Sequence, residues 1–146
     1  MKSTILLLFV ILASCSKSNP NPNEELPPAT QTGAGIFACH VNGQSFIDRS
    51  GDVAYYQKID NDYYFGIGGV DKSRKPGSLF LNSQKKQIAE GQTFQLLELQ
   101  DGNVYGGAGF VLNINDSKIV NTSQTHTGEL KITKLDYTNA IVSGTF

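Results

Sequence analysis

The most reactive-looking pair in this chain is a cysteine beside a histidine, Cys39-His40. In an extended segment adjacent side chains leave on opposite faces, so this imidazole is badly placed to take the thiol's proton. Cys39 reads instead as a small buried hydrophobe. The second histidine, His126, lies far along the chain, whereas a metal needs clustered ligands at fixed spacing. Asp60-Asn61-Asp62 opens like a calcium loop, but Phe65 and Asp71 stand where such a loop needs Gly and Glu. The glycine runs Gly66-Ile67-Gly68-Gly69 and Gly106-Gly107-Ala108-Gly109 are followed by no helical pattern, which argues against a dinucleotide site. There is no Gly-x-Ser-x-Gly nucleophile motif. Catalysis therefore rests on carboxylates dispersed in sequence, such as Glu98 and Asp116, that only folding could pair. The expectation is a non-catalytic domain without metal or cofactor, with an envelope hydrolase using such carboxylates as the rival.

Binding chemistry is better supplied. Tyr55, Tyr56, Tyr63, Tyr64 and Phe65 crowd one short region. Tyrosines with an outward face suit stacking on a glycan or contact with a protein. Alternation sends one set inward and leaves Tyr56 and Tyr64 as the candidate ligand contacts. The partner they imply is a glycan or protein ligand of unknown identity.

Cys15 has a chemistry of a different kind. Lys2 precedes the apolar run Ile5–Leu12, and Ala13-Ser14 closes it. That order is a secretory signal peptide covering residues 1–14. The run falls well short of the about 20 apolar residues that a membrane-spanning helix needs. Leu12-Ala13-Ser14-Cys15 resembles the lipobox of bacterial lipoproteins. The resemblance implies a diacylglyceryl group on the Cys15 sulfur, cleavage before Cys15 and acylation of the new amine. One acyl chain anchors marginally, at about 0.8 kcal/mol per buried CH₂, and two or more hold firmly. Cys15 is thus the expected lipidation site, and the expected location is the cell envelope, anchored in the outer membrane on either face.

With Cys15 lipidated, Cys39 has no intrachain partner. The chain carries 12 basic and 13 acidic residues, and the signal peptide removes Lys2, leaving a net charge of about −2. No basic patch points to nucleic acid. Residues 15–32 are rich in Pro and Asn and read as the lipidated Cys followed by an extended, solvated stalk.

The β domain is expected over residues 33–146, and from Gly35 the hydrophobic period becomes two. Asn42-Gly43 is the strongest hairpin signal, since both turn positions take φ > 0. It pairs Val41 with Gln44 and Cys39 with Phe46, putting Phe37, Cys39, Val41 and Phe46 in the core. A second hairpin, turning on Asp60-Asn61-Asp62, pairs Ile59 with Tyr63 and Tyr55 with Ile67. Glycines in its strands leave room for rings across the ladder. A third is expected around Asp101-Gly102, joining 93–99 to 104–114. Gln84–Glu90 has the pattern of a single helical turn, and 115–122 reads as a loop. The closing hairpin, 128–135 with 140–146, puts Leu130, Ile132, Val142 and Phe146 in the core. The chain stops inside that last strand, as a shortened sequence would. About nine short strands imply an all-β fold, an antiparallel β-sandwich or, as the alternative, a small up-and-down β-barrel.

Thr32–Gly43, Glu90-Gly91-Gln92-Thr93-Phe94-Gln95-Leu96, Gly128–Asp136 and Val142–Phe146 together resemble small lipoproteins of uncharacterised function common in Bacteroidota-type bacteria. That resemblance spans the whole chain. It implies envelope location and β character, and brings no catalytic residue with it.

Overall fold

The computed structural model describes residues 24–48, 54–72 and 76–146. The expected signal peptide, Cys15 and the first part of the expected stalk lie outside the described residues. Ten strands and no helix form the described chain: β1 (Ala38–Val41), β2 (Gln44–Ile47), β3 (Ala54–Ile59), β4 (Asp62–Val70), β5 (Ser78–Ser83), β6 (Thr93–Leu96), β7 (Val104–Asn113), β8 (Asp116–Asn121), β9 (Gly128–Asp136) and β10 (Ile141–Thr145). Eight of them make one sheet in the order β10-β9-β6-β7-β5-β4-β3, with β8 on the side of β7. The sheet curls until it is nearly a barrel, and β1–β2 forms a separate hairpin. The fold is all-β as the period-two pattern implies, and of the two architectures it comes nearer the barrel.

Turn chemistry sets the registers. Asn42 and Gly43 both take positive φ, 51° and 77°, and β1–β2 pairs as expected, Cys39 with Phe46 and Val41 with Gln44. The next turn differs from expectation. Asp60 and Asn61 take φ of 50° and 76° and make a two-residue turn by themselves, so Ile59 pairs with Asp62 and Tyr55 with Gly66. This is a slip of one residue, and such a slip reverses the faces. Tyr56 therefore shares the inner face with Phe65, which is 1 % exposed, while Tyr64 stands on the outer face. The expected sharing of one face by Tyr56 and Tyr64 does not occur. The glycines do accommodate rings: a Cβ on Gly66 would sit 2.3 Å from Tyr55 Cε1, and one on Gly107 would sit 2.3 Å from Phe80 Cζ.

Three more segments differ from the sequence reading. β6 and β7 are no hairpin: they run parallel, joined by the single pair Leu96 and Val104, and β6 makes its antiparallel ladder with β9. Residues 116–121 form a strand on β7 and not a loop. Gln84–Glu90 makes no helical turn, with Lys85 at φ 50°. This irregular stretch carries Ile88, wholly buried, into the core beside Phe37, Phe46, Phe65, Leu81, Leu96, Val104, Leu130 and Ile132. Nine such apolar side chains from both sequence halves are what hold the sheet curled.

In the closing hairpin Leu130 and Ile132 are buried and Lys131 exposed, as alternation requires. Then Ser143 pairs with Lys134 and Gly144 with Ile132, leaving Thr133 as an extra residue on β9. The bulge shifts the phase, so Leu135, opposite Val142, turns toward the core. Phe146 does not join the core: it is 51 % exposed and lies at the rim.

Candidate functional site

The curled sheet does not close. Its edge strands are β3 and β10, and no ladder joins them. At that gap lies a cleft of about 540 Å³. Ala54 of β3 and Ile141–Thr145 of β10 line its two sides, and Phe65, Ile67, Leu81, Leu130 and Ile132 line it from the core strands. Such a volume suits a small molecule, since ligand pockets run from about 300 to 1,000 Å³.

The remaining wall comes from the stretch before β1. Leu26–Thr30 and Gly33–Phe37 lie along the cleft. The Glu24 carbonyl accepts a hydrogen bond from the Ser45 hydroxyl, and Leu26 and Pro27 are half-buried. Gly33 has φ +72°, and a Cβ there would meet Ile141 Cγ1 at 3.0 Å, so glycine lets the strap lie close on β10. Residues 24–32 contain no helix or strand, as Pro27 and Pro28 imply, yet at Glu24–Pro27 they rest on the domain. Leu26, one large apolar residue in a polar run, is the sequence signal for that contact.

The electrostatics of the cleft are sparse. Among the described residues, Cys39, His40 and Asp48 are the side chains along it that can ionise. Asp48 is committed to structure: its Oδ1 accepts from Val70 N at 3.1 Å, and its own N–H donates to the Phe37 carbonyl at 2.8 Å. These bonds tie the end of β2 to β4 and to the residue before β1. Burial pushes the Cys39 thiol above its usual range, which keeps it protonated and a poor nucleophile near neutrality. His40 is exposed. The arrangement can hold an apolar molecule, and among the described residues it brings together no acid–base or nucleophilic pair.

The residues singled out in the sequence are scattered by the fold. Tyr56 works as a structural pin. Its hydroxyl donates to the Ile88 carbonyl at 3.3 Å and accepts from Ile88 N–H at 3.4 Å. Its ring stacks on Tyr63 at 5.7 Å and meets Tyr137 at 5.7 Å across the gap between the sheet edges. Burial, and then a hydrogen bond with Tyr137, drive its phenol far above the ordinary tyrosine range. Tyr64 is half-buried on the outer face, opposite Gln57. The outward aromatic there is Tyr55, which with Phe80 and Asn82 borders a shallow depression of about 200 Å³ floored by Gly66 and Gly68.

Glu98 and Asp116 are not brought together. Glu98 follows Leu97, whose N–H donates to Val104 O at the start of β7, whereas Asp116 pairs with Asn113 at its end. Nine residues of strand separate those ends, about 30 Å. His126 bonds its own turn, with Nδ1 3.0 Å from Thr125 Oγ1. Among the described residues no three His, Cys, Asp or Glu side chains are grouped to hold a metal, and no helix is long and apolar enough to cross a membrane. The cleft itself was not visible in the sequence, because its sides come from segments over 80 residues apart.

Compared with known proteins, the chain matches no family model, no curated protein and no solved structure.

Proposed function

We propose that this chain is a lipid-anchored protein of the cell envelope, held in the outer membrane through Cys15. Its β domain binds a neutral, apolar small molecule and does no chemistry on it. The anchor is supported by the order of Lys2, the apolar run and the Leu12–Cys15 tetrad, and by the resemblance to Bacteroidota-type lipoproteins. The observation that carries the binding role is the cleft between β3 and β10, apolar along its core strands, with the one side-chain carboxylate among its described lining residues already engaged. An apolar ligand gains about 25 cal/mol for each Å² it removes from water there.

N-phenyl-1-naphthylamine tests the binding role, since this neutral probe brightens in apolar surroundings. The full chain is expected to bind it saturably. Ala54→Trp, which places a large ring at an exposed position on the cleft's side, is expected to weaken binding about tenfold or more, the loss of roughly one buried side chain's worth of contact. Absence of saturable binding by the unaltered protein, or unchanged binding by a folded Ala54→Trp chain, overturns the reading.

A further inference from the structure

Among the described residues, the largest cluster of exposed apolar side chains lies away from the cleft, on β7 and β8. β5 pairs with β7 only as far as Gly109, and beyond that residue β8 is the only strand partner of β7 among the described residues. Phe110–Ile119 thus projects from the curled sheet as a two-stranded ribbon, turning at Ile114-Asn115. Ile114 is 97 % exposed, Val111 70 %, Ile119 68 % and Leu112 54 %. Apolar side chains this large, gathered at one projection, mark a surface that meets something apolar.

We propose that the tip of this ribbon inserts shallowly into the lipid bilayer to which the chain is tethered. The distribution of the side chains selects the bilayer. Gly109 pairs with Ile119 and Val111 with Ser117, so Val111 and Ile119 share one face; Phe110, paired with Lys118, stands on the other with Val120. Leu112 is the extra residue of a bulge between the pairs Val111–Ser117 and Asn113–Asp116, and Ile114 caps the end. A second copy adding to the β8 edge would leave both faces and the tip in water. A protein partner lying on one face would leave the other. A fluid apolar medium covers faces, bulge and tip together.

Charge sets the depth. No ionisable acid or base other than tyrosine occurs from Gly102 to Asn115, and the ribbon's charges are Asp116 and Lys118, one of each sign. Asp116 sits beside the turn, so the tip goes no deeper than the boundary between headgroups and acyl chains. A net charge of zero makes insertion indifferent to lipid charge and salt. Cys15 is nine residues before Glu24, at most about 32 Å of extended chain, so the anchor keeps the domain close to the bilayer surface. The proposal rests on the anchored reading for this proximity alone.

The chain contains no tryptophan, so Ile114→Trp installs a single reporter at a fully exposed turn position. The full-length chain with this substitution is mixed with phosphatidylcholine vesicles whose acyl chains are brominated near the headgroup. A blue-shifted emission quenched by bromine is expected, unchanged by added salt or anionic lipid. Leu99→Trp, beyond the other end of β7, is expected to show neither effect. Flotation with the vesicles reads the lipid on Cys15, and quenching reads the ribbon, so the two ideas fail separately. A chain without lipid is recognised by its mass, and quenching in it at rising lipid concentration still reads the ribbon. A water-exposed emission spectrum at all lipid concentrations overturns the proposal. So does a blue shift that follows protein concentration in the absence of lipid, which would identify a second copy as the occupant.

Discussion

The ring of Phe146 lies stacked on that of Phe37, with 5.1 Å between centroids and 23° between planes. The two differ in burial. Phe37 is 6 % exposed and packs edge-on to Phe46, whereas half of Phe146 faces water. Truncation of Phe37 to Ala removes a core side chain and is expected to cost about 3–5 kcal/mol. Phe146→Ala loses one stacked contact and partial burial, about 1–2 kcal/mol. Urea midpoints of the two variants measure the difference. Equal losses would place Phe146 in the core after all.

Tyr56→Phe removes the hydroxyl that bridges both backbone groups of Ile88. At 3.3–3.4 Å these bonds are long, and the expected cost is about 1 kcal/mol. Tyr64→Phe should stay within about 0.5 kcal/mol. The pH dependence has a definite sign. The folded state raises the Tyr56 pKa, chiefly by burial, so the neutral phenol is the form it favours. In the unfolded chain that phenol ionises near pH ~10. The stability tied to neutral Tyr56 is whole below that pH and falls as the pH rises toward the folded value. Denaturant midpoints above pH ~10 should therefore fall more steeply for the unaltered protein than for Tyr56→Phe. Parallel curves would show that the hydroxyl is not protected.

Thr122 stands where β6 and β7 meet through one pair. Its Oγ1 accepts from Gly106 N at 3.0 Å and donates to the Leu97 carbonyl at 2.5 Å. Thr122→Val keeps the shape and leaves both backbone groups without the hydroxyl. The expected cost is about 1–3 kcal/mol, with faster hydrogen exchange at the Gly106 and Leu97 amides. Slow exchange at both amides in the variant would assign the junction's strength to the Leu96–Val104 pair itself.

The proposed anchor makes the Cys15 sulfur the acceptor of the diacylglyceryl group. Cys15→Ala is expected to abolish incorporation of radiolabelled palmitate and to stop cleavage before residue 15. Equal labelling of the variant would remove the anchor from the proposal.

The parts of the fold readable from sequence were those in which one local choice determines one outcome. Asn42-Gly43 admits only the tight turn seen, and the β1–β2 register follows. Asp60-Asn61-Asp62 admits a two- or a three-residue turn; the fold uses two, and every tyrosine on β3 changes face relative to the three-residue reading. β6 and β7 look like a hairpin because Asp101-Gly102 suits a turn, but the ladder that β6 forms with β9, over 30 residues away, decides its direction. β8 reads as loop because all of its residues are exposed, so no buried face imposes alternation on it. Leu135 comes inward through a bulge at Thr133 that strict alternation cannot foresee. The cleft exists only once β3 and β10 are brought side by side, and no single segment carries its signature.

The strap along the cleft has a mechanical side. Tension on the chain upstream of Glu24 arrives first at the strap, which has no ladder of its own and is held at Glu24 by the Ser45 hydroxyl. Load applied at one end of a surface segment peels its contacts in sequence, whereas a strand in a ladder loads many hydrogen bonds at once. The sequence of yielding is therefore set: Glu24, then Leu26–Thr30, then the glycines before Phe37, with every ladder of the large sheet still intact. Traction on the proposed tether would uncover the cleft long before it unfolded the domain.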